Sequence, residues 1–149
     1  MATQKQRLGE YGERHVVRHC HCPSCKRNHT LRRLPTNFKC ADIICDFCGY
    51  LAQVKTKTVS DISIIPKQIL GAAWKPQKER MDAGIYFALF LVLTTRDQQK
   101  YAIHYLPSDL QNRDIFVERN PLKSTARRAG WKGFNYQLDS VKSFFVRLV

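Results

Sequence analysis

No stretch of this 149-residue sequence stays apolar for the roughly 18 residues that a bilayer-crossing helix requires. The longest apolar run, Ile85 to Leu93, is about half that length and reads as a buried strand. The first residues, MATQKQRLGEYGERH, contain no hydrophobic segment of signal-peptide type. Internal repeats and low-complexity linkers are also absent, so one domain over residues 1–149 is expected. Acidic residues are scarce, 12 against 25 Lys and Arg, which leaves a formal charge of +13. These absences argue against a membrane or secreted protein and for a reducing, cytoplasmic (nucleoid-associated) setting. In such a compartment six cysteines are better metal ligands or thiols than disulfides.

With 44% hydrophobic residues, the chain can bury a core and fold as a globule. Its positive charge suits a polyanionic partner, because each neutralised phosphate releases condensed counterions. Net charge alone fixes no partner, and a merely soluble basic protein would have the same composition. Residues 5–19 read as a helix in which Leu8, Tyr11, His15 and Val16 recur at helical spacing. Gly9 and Gly12 each weaken that helix by about 1 kcal/mol relative to alanine. Strands are expected near 38–44 and 50–57, then a helix over 65–81 with Pro66 near its start and Pro76 interrupting it. Tyr86 to Thr94 reads as a central strand, with Lys100 to Leu106 paired beside it through the turn Arg96-Asp97-Gln98-Gln99. Short strands are expected at 115–118 and 144–149. Together these elements make an α/β or α+β sheet domain.

Cys22-Pro23-Ser24-Cys25 and Cys45-Asp46-Phe47-Cys48 have the spacing of a zinc ribbon. Two intervening residues let both thiolates of a turn face one ion, and two such turns complete a tetrahedron. Cys20, Cys40, His19, His21 and His29 are available as substitute ligands, and four buried thiols or a redox pair is the alternative. A closed four-sulfur site leaves no position for water or substrate, so zinc here would hold structure and catalysis would reside elsewhere.

Asp42 stands in an apolar strand context, CADIIC, where a carboxylate needs a reason. Alternation in FKCADII puts Cys40 and Asp42 on one face; in LAQVKTK it puts Gln53 and Lys55 together. If the two strands pair, Asp42, Gln53 and Lys55 can converge. The carboxylate, the amide oxygen and the Val54 carbonyl would then hold a hard cation, magnesium or manganese. Such an ion lowers the pKa of bound water and neutralises a scissile phosphate, while Lys55 orients or deprotonates the nucleophile. Glu13 or Glu10 could add a ligand. The competing reading makes Gln53 and Lys55 surface residues and Asp42 a turn cap.

Residues 119–133, RNPLKSTARRAGWKG, cluster Arg119, Lys123, Arg127, Arg128 and Lys132 around Trp131. The cations can take phosphates and the indole can stack on a base or wedge into a groove, unless it is tucked into the core.

CPSC, ADIICDFC followed by QVKTK, YFALFLVLTT and NPLKSTARRAGWKGFN, in that order, resemble the DpnI-like, Dam-replacing family of PD-(D/E)xK restriction endonucleases. The resemblance covers nearly the whole chain and corresponds to the catalytic domain; nothing matches a carboxy-terminal winged-helix reader. It implies an α/β fold, a restriction-endonuclease-like mixed sheet flanked by helices, with a zinc-ribbon-like insertion at about 20–50. It makes Cys22, Cys25, Cys45 and Cys48 the zinc ligands. It makes Asp42, position 53 and Lys55 the catalytic set, with Glu13 where the family's first helix also carries an acid. It further implies double-stranded DNA as partner; single-site nicking would fit a monomer and cutting of both strands a homodimer. Gln53 departs from the family's glutamate, although Mrr-like nucleases look similar in using Q-x-K. That departure keeps alive a weakened nuclease fold that binds modified DNA, while the Gly-Glu pattern in LGEYGERHVV looks like that of junction resolvases and keeps a junction or repair nuclease as a third reading.

Overall fold

The computed structural model describes residues 2–149 and resolves into two compact units. The first comprises residues 2–64, 87–108 and 145–149, and the second comprises 65–86 and 109–144. Among the described residues no helix is long and apolar enough to cross a membrane.

The first unit is a mixed sheet faced by a helix. Helix α1 (Gln4–His19) starts at Thr3, whose hydroxyl accepts from the Gln6 backbone while the Gln6 side chain accepts from the Thr3 backbone. This reciprocal cap satisfies two amides that have no partner inside the helix. The strands are β1 (Leu31–Arg33), β2 (Ile43–Cys45), β3 (Leu51–Thr58), β5 (Ala88–Thr94), β6 (Tyr101–Leu106) and β9 (Val146–Arg147), hydrogen-bonded in the order β1-β2-β3-β5-β6-β9. Only β3 and β5 run parallel; every other neighbouring pair is antiparallel. All seven residues of β5 are buried, which explains why this strand shows a continuous apolar run rather than alternation.

Strand β3 instead alternates. Ala52 and Val54 join Val16, Leu31, Ile43, Phe90, Val92 and Ile103 in one core, while Gln53, Lys55 and Lys57 take the opposite face and stay partly exposed. Helix α1 packs on β3 at Gly12, which is buried. A Cβ there would lie 1.8 Å from the Thr56 hydroxyl oxygen, so this helical glycine is required by close approach and is not a simple weakness.

The second unit holds an antiparallel three-stranded sheet, β4 (Gln68–Gly71), β8 (Phe134–Gln137) and β7 (Phe116–Glu118), in the order β4-β8-β7. Its core is aromatic: Phe134 lies 6.0 Å from Phe116 and 5.1 Å from Tyr136, ring centre to ring centre. Gly71 makes room for the Phe134 ring, which a Cβ would meet at 2.3 Å. Helix α2 (Trp74–Asp82) belongs to the same unit.

The expected helix over 65–81 is therefore half wrong. Its first half is β4, because Ile69 and Gly71 alternate inward and the backbone pairs with β8. Pro76 does not interrupt α2; it sits in the first turn, where an amide would have no helical acceptor. The strand expected near 38–44 is shorter as well. Only 43–45 is extended, and Cys40, at φ +66°, breaks the alternation assumed upstream of Asp42. Strands β1 and β8 had no prediction, and the closing strand narrows to two residues.

Candidate active site

Two turns place the four paired cysteines. In the first, the Lys26 amide donates to the Cys22 carbonyl at 3.0 Å and the chain reverses through Lys26 at φ +65°. In the second, the Gly49 amide donates to the Cys45 carbonyl at 2.9 Å, Gly49 has φ +79°, and the Cys48 amide points at Cys45 Sγ at 3.5 Å. The sulfurs of Cys22 and Cys48 stand 3.6 Å apart, those of Cys25 and Cys45 3.7 Å, and all four lie within 4.8 Å of one another. A tetrahedron with Zn–S bonds of about 2.3 Å has sulfur–sulfur edges of about 3.8 Å, so these four residues fit a structural zinc ion. Zinc bound there would tie the Cys22–Cys25 turn to β2, the strand that ends at Cys45. Cys20 is not among the four: it is buried in the core, and burial pushes its thiol up to about 11, which leaves it an inert apolar filler. Cys40, His19, His21 and His29 are likewise outside the group.

Asp42 lies one residue before β2, where the β2–β3 hairpin opens. Its amide donates to the Ala52 carbonyl at 2.9 Å, its carbonyl accepts from Leu34 at 2.8 Å, and its carboxylate Oδ2 accepts from the Val54 amide at 2.8 Å. The backbone thus clamps Asp42 from both sides, and the side chain takes over a position in the ladder beside β3. Burial raises its pKa, against the lowering effect of the Val54 hydrogen bond and the Lys55 charge.

Lys55 has the complementary problem. Burial pulls its amine below the ordinary lysine range, while the charges of Asp42, Cys40 and Glu13 push it back up. Glu13, on α1, is raised first by burial and next by Asp42. The Arg33 guanidinium opposes this, with Nε 3.1 Å from the Glu13 carboxylate. Two carboxyls and an ammonium therefore share one poorly solvated neighbourhood built from α1, the Asp42 loop and β3. Gln53 lies two residues before Lys55 on β3 and shares its face.

A family model described as DpnI, Dam-replacing family, matches residues 1–148. The chain belongs to the Dam-replacing family. That match spans both units, and with them the four-cysteine cluster and the Asp42–Lys55 neighbourhood of this family member.

In the second unit the basic segment of this Dam-replacing chain is a long hairpin loop between β7 and β8, whose end pair is Glu118 and Phe134. The loop is cross-braced: Arg119 donates to Gly133, Leu122 to Trp131, and Gly130 to Leu122, at 2.9–3.1 Å. Gly130 has φ +79°, a conformation few other residues tolerate. Arg119, Lys123, Arg127 and Arg128 are exposed, and the Arg128 guanidinium lies 6.0 Å from the Trp131 ring. Trp131 is half-buried. Lys132 has its ammonium 3.0 Å from Glu118, so part of its charge is already answered within the hairpin.

Arg33 was missed by sequence reasoning. Its role as partner of Glu13 depends on β1, a three-residue strand that exists only through pairing with β2 and that local pattern cannot announce.

Proposed function

We propose that this Dam-replacing protein is a metal-dependent endonuclease of restriction type that hydrolyses phosphodiester bonds in double-stranded DNA, with methylated DNA as the substrate its family suggests. The observation that carries the reading is the charge-coupled set of Asp42, Lys55 and Glu13 beside an opened hairpin. Poorly solvated carboxyls grouped with a lysine are costly for folding, and such arrangements gather where chemistry needs them.

In this reading Asp42, the Gln53 amide oxygen and the Val54 carbonyl hold magnesium or manganese. The Val54 amide already faces Asp42. In a strand the amide and carbonyl of one residue point to the same neighbour, so the Val54 carbonyl suits that set. The ion supplies positive charge at the scissile phosphate and an acidified water. Lys55, whose amine gives up its proton more readily than an ordinary lysine, would position the attacking water and accept its proton as the new P–O bond forms, while the P–O bond to the leaving sugar oxygen breaks and that oxygen takes a proton from solvent. Glu13 would offer a further carboxylate to that ion. Arg119, Lys123, Arg127, Arg128 and Lys132 would bind phosphates, with Trp131 against a base or sugar.

Cleavage of methylated and unmethylated plasmid in magnesium or manganese tests the proposal, with Lys55→Ala as control. Wild type nicking or cutting in metal, with the variant inert, supports it. Equal, negligible cleavage by both would end it.

Gln53 supports a second reading, in which the fold binds modified DNA without cutting it. Replacing the family's glutamate removes one negative charge from the ion site, and ligand charge sets the affinity for hard cations. Salt-dependent duplex binding with no cleavage in either metal would favour this reading.

A further inference from the structure

The two cysteine turns do more than face a metal. Their tips bring Arg27 and Phe47 together on the surface, with the guanidinium carbon 3.8 Å from the centre of the phenyl ring. Phe47 is 60% exposed although it lies between two ligand cysteines. Its neighbour Asp46 is already paired with Arg32 at 3.1 Å, which cancels the local acid. Residues 20–41 contain Lys26, Arg27, Arg32, Arg33 and Lys39 and no carboxylate.

The backbone beneath this pair is fixed. The Arg27 carbonyl accepts from the Cys22 amide at 3.1 Å and from the Thr30 hydroxyl at 3.4 Å, and the Asp46 amide donates to the Thr30 carbonyl at 2.8 Å. A metal bound by the four sulfurs would lock both tips together. A guanidinium stacked on a ring keeps its N–H edge available for phosphate oxygens, and the other face of the ring is available to a base or sugar.

The location matters. Asp42 precedes β2 and Cys45 ends it, three residues apart, or roughly 10 Å along an extended strand. A duplex that has its scissile phosphate at Asp42 and runs along β2 would meet the cysteine turns within about half of its 34–36 Å helical repeat.

We propose that the Arg27–Phe47 pair on the two cysteine turns is a second DNA contact, with Phe47 packed on a sugar or base and Arg27 on the adjoining phosphate. The inference rests on the reading above, that the chain engages duplex DNA. It assigns the zinc-binding insertion a part in substrate binding that a purely structural metal site would not have. The surrounding cations, with no unpaired acid, favour DNA over a protein partner for this exposed ring.

The test uses the whole zinc-bound chain and a fluorescent duplex, with calcium replacing magnesium. Phe47→Ala should weaken binding about tenfold, the range expected for loss of one aromatic stacking contact. Arg27→Ala should weaken binding and lower the salt slope by about one, while Phe47→Ala leaves the slope alone. Zinc content and melting temperature should match wild type in both, because both side chains are at the surface. p-Benzoylphenylalanine at position 47 should photocrosslink to the duplex. Wild type failing to bind any duplex would overturn the nuclease reading and this inference with it. Wild type binding while both variants bind equally well, or a crosslink only to a second copy of the chain, would overturn this inference alone.

Discussion

Gly12 on α1 and Thr56 on β3 touch so closely that any side chain at position 12 would collide with the threonine hydroxyl. That contact fixes the height of the helix over the strand. It thereby sets Glu13, the next residue, where Asp42 raises its carboxyl and where its own charge acts on the Lys55 amine. A packing detail with no chemistry of its own determines whether the two carboxyls and the lysine meet.

Gly12→Ala should accordingly destabilise the protein by about 1–3 kcal/mol through overpacking, despite the better helix propensity of alanine. Gly9→Ala, three residues earlier on the same helix, meets nothing within 4 Å and should stabilise by about 0.5–1 kcal/mol. Urea unfolding of the two variants checks the opposite signs, and stabilisation by both would contradict the packing described here.

Replacing the poorly solvated Lys55 ammonium should separate stability from activity. Lys55→Met keeps the volume and removes a charge whose burial opposes ionisation. The expectation is an unchanged or raised melting temperature in the absence of divalent metal, with cleavage reduced at least about a hundredfold. A variant that unfolds, or one that cuts normally, would contradict the role given to Lys55.

Gln53→Glu restores a negative charge to the proposed ion site. The magnesium concentration giving half-maximal cleavage should fall, with little change in DNA affinity measured without metal. An unchanged metal requirement would remove Gln53 from the ligand set.

His104 gives a pH dependence unrelated to metal. Its Nε2 lies 2.9 Å from the Ile62 carbonyl, and burial lowers its pKa below the ordinary histidine value. The folded protein then holds the His104 proton less tightly than the unfolded chain does. This contribution to stability is complete above the usual histidine range and is lost as pH falls through the folded-state value. Stability measured from pH 7 down to pH 5 should decline, and the decline should be shallower in His104→Gln, which keeps an amide donor for Ile62.

Metal content should equal one zinc per chain. Serine at Cys22, Cys25, Cys45 or Cys48 should lose it, while Cys20→Ala should retain it at some cost in stability, because Cys20 fills core space. Zinc retained after substitution of Cys45 would exclude the four-sulfur site.

Much of this architecture was legible in local pattern because its signals are short in range. Helix α1, β3, β5 and the β5–β6 hairpin each have periodicity or a turn within a dozen residues. Strands β1, β4 and β8 do not. Each is three or four residues long and owes its extension to a partner elsewhere in the chain, so β4 reads as a helix and the other two carry no expectation. The basic segment was visible as composition, but not that Lys132 is tied to Glu118 across the hairpin that β7 and β8 create.

By itself the sequence determined the inventory: two cysteine turns at ribbon spacing, an acid and a lysine on adjoining extended segments, a cationic surplus and one apolar central strand. Those properties are written in side-chain chemistry and in intervals of two to four residues, which no distant contact alters. Tertiary structure alone decided that the four sulfurs converge, that Val54 lends its amide to Asp42, and that Arg33 answers Glu13. Each of those pairings joins separate elements, and their positions are set by how helix and sheet exclude water from a shared core.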